Sequence, residues 1–191
     1  RLLTSVLVRP YREPVLTAKI FATIDIMSGG RVIAGCGAGW MEEEFKAVGA
    51  PPFAERGKVT DEYIAAFRAM WTNEEPSFAG DYTNFSDIYF RPPPVQKPHP
   101  PIWIGGDSMA ALRRAARLGD GWYPIGISPK HPLNTLDRFA ARVATLHELT
   151  EQAGRDPAAV ELSFWAVWYK AGKSVILDNG ERHILLGGFE Q

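Results

Sequence analysis

A chain of 191 residues that is 46% hydrophobic and 23% charged, with a formal net charge of −1, has enough apolar material for a sizeable core and no electrostatic bias toward a polyanion. Its basic residues are scattered rather than clustered, which excludes a nucleic-acid footprint, and no apolar run approaches the roughly 20 residues that cross a bilayer. One cysteine, Cys36, excludes an internal disulfide and a multi-cysteine metal centre. The expectation is a soluble, cytoplasmic globular protein with no metal and no nucleic-acid or membrane partner.

In chain order, Leu2 to Val8 reads as an apolar strand. Pro14 to Met27 reads as a helix with proline in its first turn and Gly29-Gly30 as its stop, and Arg31 to Gly35 as the next strand, completing a βαβ unit. Phe53 to Trp71 contains a long helix that buries Ala65, Ala66, Phe67, Met70 and Trp71. Thr72 to Pro98, rich in Pro, Gly, Asp and Asn, reads as an extended excursion with a hairpin around Phe78 to Tyr82. A strand at Pro100 to Ile104, an alanine-rich helix from Met109 to Leu118 and a short strand at Gly121 to Ile125 follow. A helix from Pro132 to Ala153 and a strand from Val160 to Tyr169 complete the pattern.

Two of the strands run into glycine. Gly35-Cys-Gly-Ala-Gly-Trp40 leaves the backbone bare after an apolar strand, then presents an aromatic face and an acidic helix start, so a flat or phosphorylated ligand could approach the main chain. The other reading is a tight turn whose glycines only relieve crowding. Gly105-Gly106-Asp107-Ser108 opens the alanine-rich helix, whose free N–H groups and partial positive charge suit a phosphate. Asp107 could instead occupy those N–H groups as an N-cap. Cys36, at an apolar strand end, reads as a packing residue rather than a nucleophile.

Alternating strands and helices predict a parallel sheet wrapped by helices, either a (β/α)8 barrel or an open doubly wound sheet. In both, ligands gather where strands end, which is where the glycine runs lie. A closed barrel uses about 250 residues, and five or six strands fall short of it. The chain enters directly on a strand, and Gly187-Gly-Phe-Glu-Gln191 reads as the approach to another helix. A single partial barrel domain over 1–191, truncated at both ends, is the expectation.

Several segments carry a resemblance in order: Leu3-Thr-Ser-Val-Leu7, Pro14-Val-Leu-Thr-Ala-Lys19, Ile24-Asp-Ile-Met-Ser-Gly-Gly-Arg31, Gly35 to Trp40, Arg56 with Asp61-Glu62, Pro100-Pro-Ile-Trp-Ile-Gly-Gly106 and Gly119-Asp-Gly-Trp122. Together they resemble the bacterial luciferase-like superfamily in its F420-dependent oxidoreductase branch. The resemblance implies an incomplete TIM barrel, from about the third strand to the seventh, with a flavin or deazaflavin across the strand ends. It implies a non-prolyl cis peptide within Thr4-Ser5-Val6 behind the ring, Gly37, Ala38 and Gly39 skirting the cofactor, and Gly105 and Gly106, with Asp107 and Ser108, receiving its phosphate. Trp40 stands where a sugar-phosphate dehydrogenase branch has a catalytic glutamate, which disfavours that substrate and places Trp40 in the substrate pocket. Glu43 and Glu44, one helix turn on, are the acid–base candidates or else a solvated helix start. Arg56 with Asp61 and Glu62 reads as an ion pair fixing its helix.

The leading expectation is hydride transfer between F420 and a small organic substrate. The alternative is an FMN-dependent monooxygenase, since both cofactors share a ring shape and a ribityl phosphate. A third reading, from another class, is a non-catalytic cofactor-binding fragment. An unclosed sheet exposes edges and apolar faces, so a homo-oligomer is expected.

Overall fold

The apolar run expected as one strand from Leu2 to Val8 forms two, β1 (Leu2–Leu3) and β2 (Leu7–Val8), both parallel to β3 (Val32–Gly37) in the computed structural model, which describes residues 1–126 and 128–165. Leu3 pairs with Ile33 and Leu7 with Cys36, so four steps on one side face three on the other. The surplus falls in Thr4–Val6, where a side chain takes over from the ladder. Thr4 Oγ1 accepts from the Gly35 N–H at 2.9 Å and donates to the Gly35 carbonyl at 3.2 Å. The strand expected to reach Tyr169 and the segment 187–191 fall wholly or partly outside the described residues.

The chain divides into two units, 1–103 and 104–191. In the first, α1 (Pro14–Met27) begins at Glu13, whose carboxylate accepts from the N–H groups of Val15 at 3.0 Å and Leu16 at 2.6 Å. Thr17, Ala18, Phe21, Ala22 and Asp25 form its buried face. α2 (Glu42–Ala47) follows β3, and a short turn at Phe53–Glu55 leads into α3 (Arg56–Thr72). Phe21, Phe67 and Trp71 form one ring cluster, with centroids 5.2–6.4 Å apart, and the Trp71 indole N–H donates to the Ala18 carbonyl at 3.1 Å. This ties α1 to α3 by both apolar packing and a satisfied polar group.

The excursion after α3 contains the expected hairpin, β4 (Phe78–Ala79) against β5 (Asn84–Phe85), antiparallel. Glu62 holds its turn: the carboxylate accepts from the N–H groups of Asp81, Tyr82 and Thr83, each at 2.8 Å. Glu62, expected together with Asp61 as an ion-pair partner of Arg56, thus spends its carboxylate on the hairpin turn. Arg56 lies over the Phe53 ring, 4.0 Å from its centroid, and donates to the Phe53 carbonyl at 2.9 Å. Spacing of charges on one helix could not reveal that the carboxylate's partners are main-chain groups some 20 residues away. Replacing Glu62 with alanine is expected to speed hydrogen exchange at the Asp81, Tyr82 and Thr83 amides by about tenfold or more, since a bond to a charged acceptor contributes about 1.5–3 kcal/mol before solvent screening. Unchanged exchange there would show that the hairpin holds without it.

β6 (Ile102–Gly105) leaves the first unit at Trp103 and enters the second at Ile104. In the second unit α4 (Met109–Leu118) packs beside α5 (Leu136–Gln152), and β7 (Gly121–Tyr123) pairs in parallel with β8 (Glu161–Leu162). α4 ends where Arg155 reaches it, donating to the carbonyls of Ala116 at 2.7 Å and Gly119 at 2.8 Å, so a cation meets the negative helix end. α5 starts at Leu136 rather than Pro132, because Thr135 is the cap that accepts from the Arg138 N–H. Leu133, buried ahead of it, donates instead to the Gly126 carbonyl.

Candidate functional site

In the first unit the glycine run sits at the C-terminal end of β3. The peptide bond between Ser5 and Val6 is cis, as the resemblance implies. A Cβ at Gly35 would lie 1.7 Å from the Thr4 carbonyl oxygen, and one at Gly37 2.7 Å from Val6 Cγ2; at Gly39, Phe45 and Val8 leave no room. The protein's own backbone and side chains thus occupy the space that the bare glycines open. Thr4 and Val6, on either side of the exposed Ser5, are brought against Gly35 and Gly37 by this close approach, while Ala38, Gly39 and Trp40 run on toward α2. Trp40 is 79% exposed.

Beneath this junction lies Arg9, almost fully buried in the turn Arg9–Tyr11 that follows β2. Its guanidinium donates to the Gly35 carbonyl at 3.3 Å and the Leu7 carbonyl at 3.4 Å, and stands 5.1–5.3 Å from the Phe67 and Phe21 ring centroids. Burial pulls its pKa below the ordinary value, with Cys36 opposing the shift. The sulfur of Cys36, itself buried, approaches the Ala34 carbonyl at 3.4 Å. Reading from the sequence missed Arg9, since a lone arginine between strand and helix carries no pattern that distinguishes it from a surface one.

Glu43 and Glu44 lie in the first turn of α2, both exposed. Glu44 accepts from the Tyr11 hydroxyl at 2.7 Å. Desolvation first, and then that hydrogen bond, push the Tyr11 pKa up to about 12. Glu42 pairs with Lys46 one turn along, so this helix start is acidic and solvated, as carboxylates at a helix N-terminus favour.

In the second unit Gly106 adopts φ of +116°, with its N–H donating to the Tyr123 carbonyl at 3.3 Å and its own carbonyl accepting from the Trp122 indole at 3.0 Å. Its N–H is therefore committed within the protein. Ser108, not Asp107, caps α4: its Oγ accepts from the Ala111 N–H at 3.2 Å. The Met109 and Ala110 N–H groups stand in the open first turn, without an intrahelical acceptor. Asp107 is only 4% exposed; its Oδ1 accepts from the Ile125 N–H at 2.9 Å, whereas Oδ2 has no partner among the described residues. This junction therefore places open N–H donors beside a buried carboxylate, one oxygen of which lacks a donor among the described residues.

Residues 1–169 match the luciferase-like monooxygenase family. A Pseudomonas putida protein described as an FMNH2-dependent dimethylsulfone monooxygenase is 36% identical over 146 residues, covering 75% of this chain and 40% of that protein. Among solved structures, an F420-dependent secondary alcohol dehydrogenase in complex with an F420-acetone adduct matches with a TM-score of 0.72 at 25% identity, over 88% of this chain and 49% of that one. The monooxygenase RslO1 from Streptomyces bottropensis matches with a TM-score of 0.72 at 24% identity, over 90% and 50%. The chain spans about half the length of the relatives it matches. The fold is that of the luciferase-like TIM barrels, present as an incomplete barrel with parallel strands. No helix among the described residues is long and apolar enough to cross a membrane.

Proposed function

Because the chain belongs to the luciferase-like monooxygenase family, we propose that it is part of an oxidoreductase that exchanges a hydride between the deazaflavin F420 and a small organic substrate. When bound, the deazaflavin ring supplies hydride transfer without single-electron reaction with oxygen. The observation that carries the choice is the buried carboxylate of Asp107 next to the open first turn of α4. The Met109 and Ala110 N–H groups and the helix dipole attract a phosphate, while Asp107 repels one in proportion to its charge. F420 carries a phosphodiester with one negative charge, and FMN a monoester approaching two, so the pairing favours the diester.

In the first unit, Thr4, Ser5 and Val6 together with Gly37, Ala38 and Gly39 are assigned to the ring, and Trp40 to the substrate. Glu43 and Glu44 are the acids available to exchange a proton with substrate. An FMN-dependent monooxygenase is the second reading, supported by the 36% identity to the dimethylsulfone enzyme.

The test is a pair of substitutions in the full-length protein, with F420 and FMN affinities followed by cofactor fluorescence. Ser108→Asp preserves the cap, since aspartate caps as well as serine, but adds a negative charge where phosphate is held. Its melting temperature should stay within a few degrees while cofactor affinity falls about ten- to a hundredfold, the equivalent of about 1.4–2.7 kcal/mol. Asp107→Asn should tighten FMN more than F420. Unchanged affinity in Ser108→Asp would remove the phosphate assignment, and parent protein that binds FMN but not F420 would establish the second reading. Gly106→Val is the poorer probe, because φ of +116° strains any L side chain and its Cβ would meet Ala111 at 3.2 Å, confounding binding with folding.

A further inference from the structure

Arg9 carries a charge where charge is costly to keep. It is 2% exposed, and its guanidinium donates to the Gly35 carbonyl at 3.3 Å and the Leu7 carbonyl at 3.4 Å, both beyond the usual N–H···O range. Nη1 is buried and has no acceptor among the described residues. The Phe21 ring of α1 and the Phe67 ring of α3 stand 5.3 and 5.1 Å from the guanidinium carbon. These rings offset part of the desolvation of the cation, yet a methionine would fill the same space without incurring it. Stability alone therefore gives no reason for an arginine here.

The two carbonyls it grips supply that reason. They belong to neighbouring parallel strands, β2 and β3, so the guanidinium fork spans the seam between them. Thr4 Oγ1 donates to the same Gly35 carbonyl at 3.2 Å, so one oxygen is held by donors from two directions of the fold. Leu7 directly follows Thr4, Ser5 and Val6, and Gly35 stands two residues before Gly37. Backbone rich in glycine is loose unless its surroundings hold it, and a loose bed must be ordered when a ligand settles on it. We infer that Arg9 is a positioning residue for the cofactor ring, bracing the Leu7 and Gly35 carbonyls so that the segments on either side of the seam keep one geometry with or without the ring. The inference rests on the assignment of the ring to Thr4, Ser5 and Val6 with Gly37, Ala38 and Gly39. A side chain that is 2% exposed offers no atom to a ligand, so Arg9 acts through the main chain.

The experiment compares Arg9→Met and Arg9→Lys with the parent in the full-length protein, by thermal unfolding and by fluorescence titration with F420 and with FMN. Arg9→Met should melt within a few degrees of the parent or above it, while the dissociation constant of the cofactor that the parent binds rises about tenfold, because the bed must now be ordered on binding. In the ligand-free protein, amide hydrogen exchange at Gly37, Ala38 and Gly39 should quicken by about threefold or more, with distant amides unchanged. Arg9→Lys keeps the charge but reaches one carbonyl at a time, so it should fall between the other two. A merely structural arginine gives the opposite pattern, a lower melting temperature with affinity intact in whatever folds. An Arg9→Met variant that fails to fold, or that folds and binds as the parent does, overturns the inference while Ser108→Asp still reports on the phosphate assignment. Parent protein that binds neither F420 nor FMN overturns the reading of function and this inference with it.

Discussion

Gly35→Ala should be among the most damaging single substitutions in this chain, lowering stability by about 3 kcal/mol or more and abolishing soluble expression in a weakly stable background. The added methyl would stand 1.7 Å from the Thr4 carbonyl oxygen and 2.9 Å from its carbon, both main-chain atoms that cannot rotate away. Relief requires β1 to move off β3, and that movement breaks the paired Thr4 Oγ1 bonds to Gly35 together with the Arg9 bond to the Gly35 carbonyl. The guanidinium would then be left buried with fewer partners. Thermal unfolding should show a loss of about 6–12 °C, at 2–4 °C per kcal/mol for a protein of this size. A melting temperature within about 2 °C of the parent would mean that β1 and β3 are farther apart than described.

That expectation shows where the sequence was most readable and where it was not. The run Arg31 to Gly35 announced a buried strand, which the structure starts at Val32 and carries on to Gly37, and Pro14 with Gly29-Gly30 bracketed α1 to the residue, because proline and glycine act through local backbone geometry that needs no neighbours. The reason for the glycines was not local. Bare backbone before a helix suits a ligand, and the same bareness suits a strand that approaches closer than ordinary pleating allows. Only the Thr4 carbonyl, 31 residues away along the chain, separates the two. The break between β1 and β2 escaped for the same reason: its hydrophobic alternation reads as continuous, while the register is set by β3.

The second junction was legible in its elements and not in its hydrogen bonds. Met109 to Leu118 emerged with its boundaries intact, since four alanines and a polar start specify a helix that packs closely. Serine and aspartate side by side left the cap open, and both are good caps. The structure chooses serine because Asp107 is drawn to the Ile125 N–H, a partner 18 residues on. This choice turns an acid that could have been a structural cap into a buried carboxylate with one bare oxygen. Its presence beside open N–H groups is what distinguishes a monoanionic from a dianionic phosphate in the proposed function.

Asp25→Ala carries the second large effect. Asp25 is fully buried, and its carboxylate accepts from the Gln96 main-chain N–H at 2.9 Å and from Gln96 Nε2 at 2.6 Å. Gln96 Nε2 in turn donates to the Val32 carbonyl at 2.8 Å, so one acid fastens the end of the proline-rich excursion to both α1 and β3. Alanine would leave the Gln96 main-chain donor without its acceptor in a half-buried site, at a cost of about 1–3 kcal/mol, and would forfeit the charge-assisted bond to the amide as well. The expected total is about 3 kcal/mol, or a melting loss of about 6–12 °C. Asp25→Asn keeps the shape but turns one acceptor into a donor that faces another donor, so it should recover only part of the loss. A cycle combining Asp25→Ala with Gln96→Ala should show a coupling of about 0.5–3 kcal/mol, because the two side chains act through a shared contact. If the single effects simply add, the clasp between them does not hold the excursion, and the stability of this edge must come from the apolar packing of Val95 and the prolines around it.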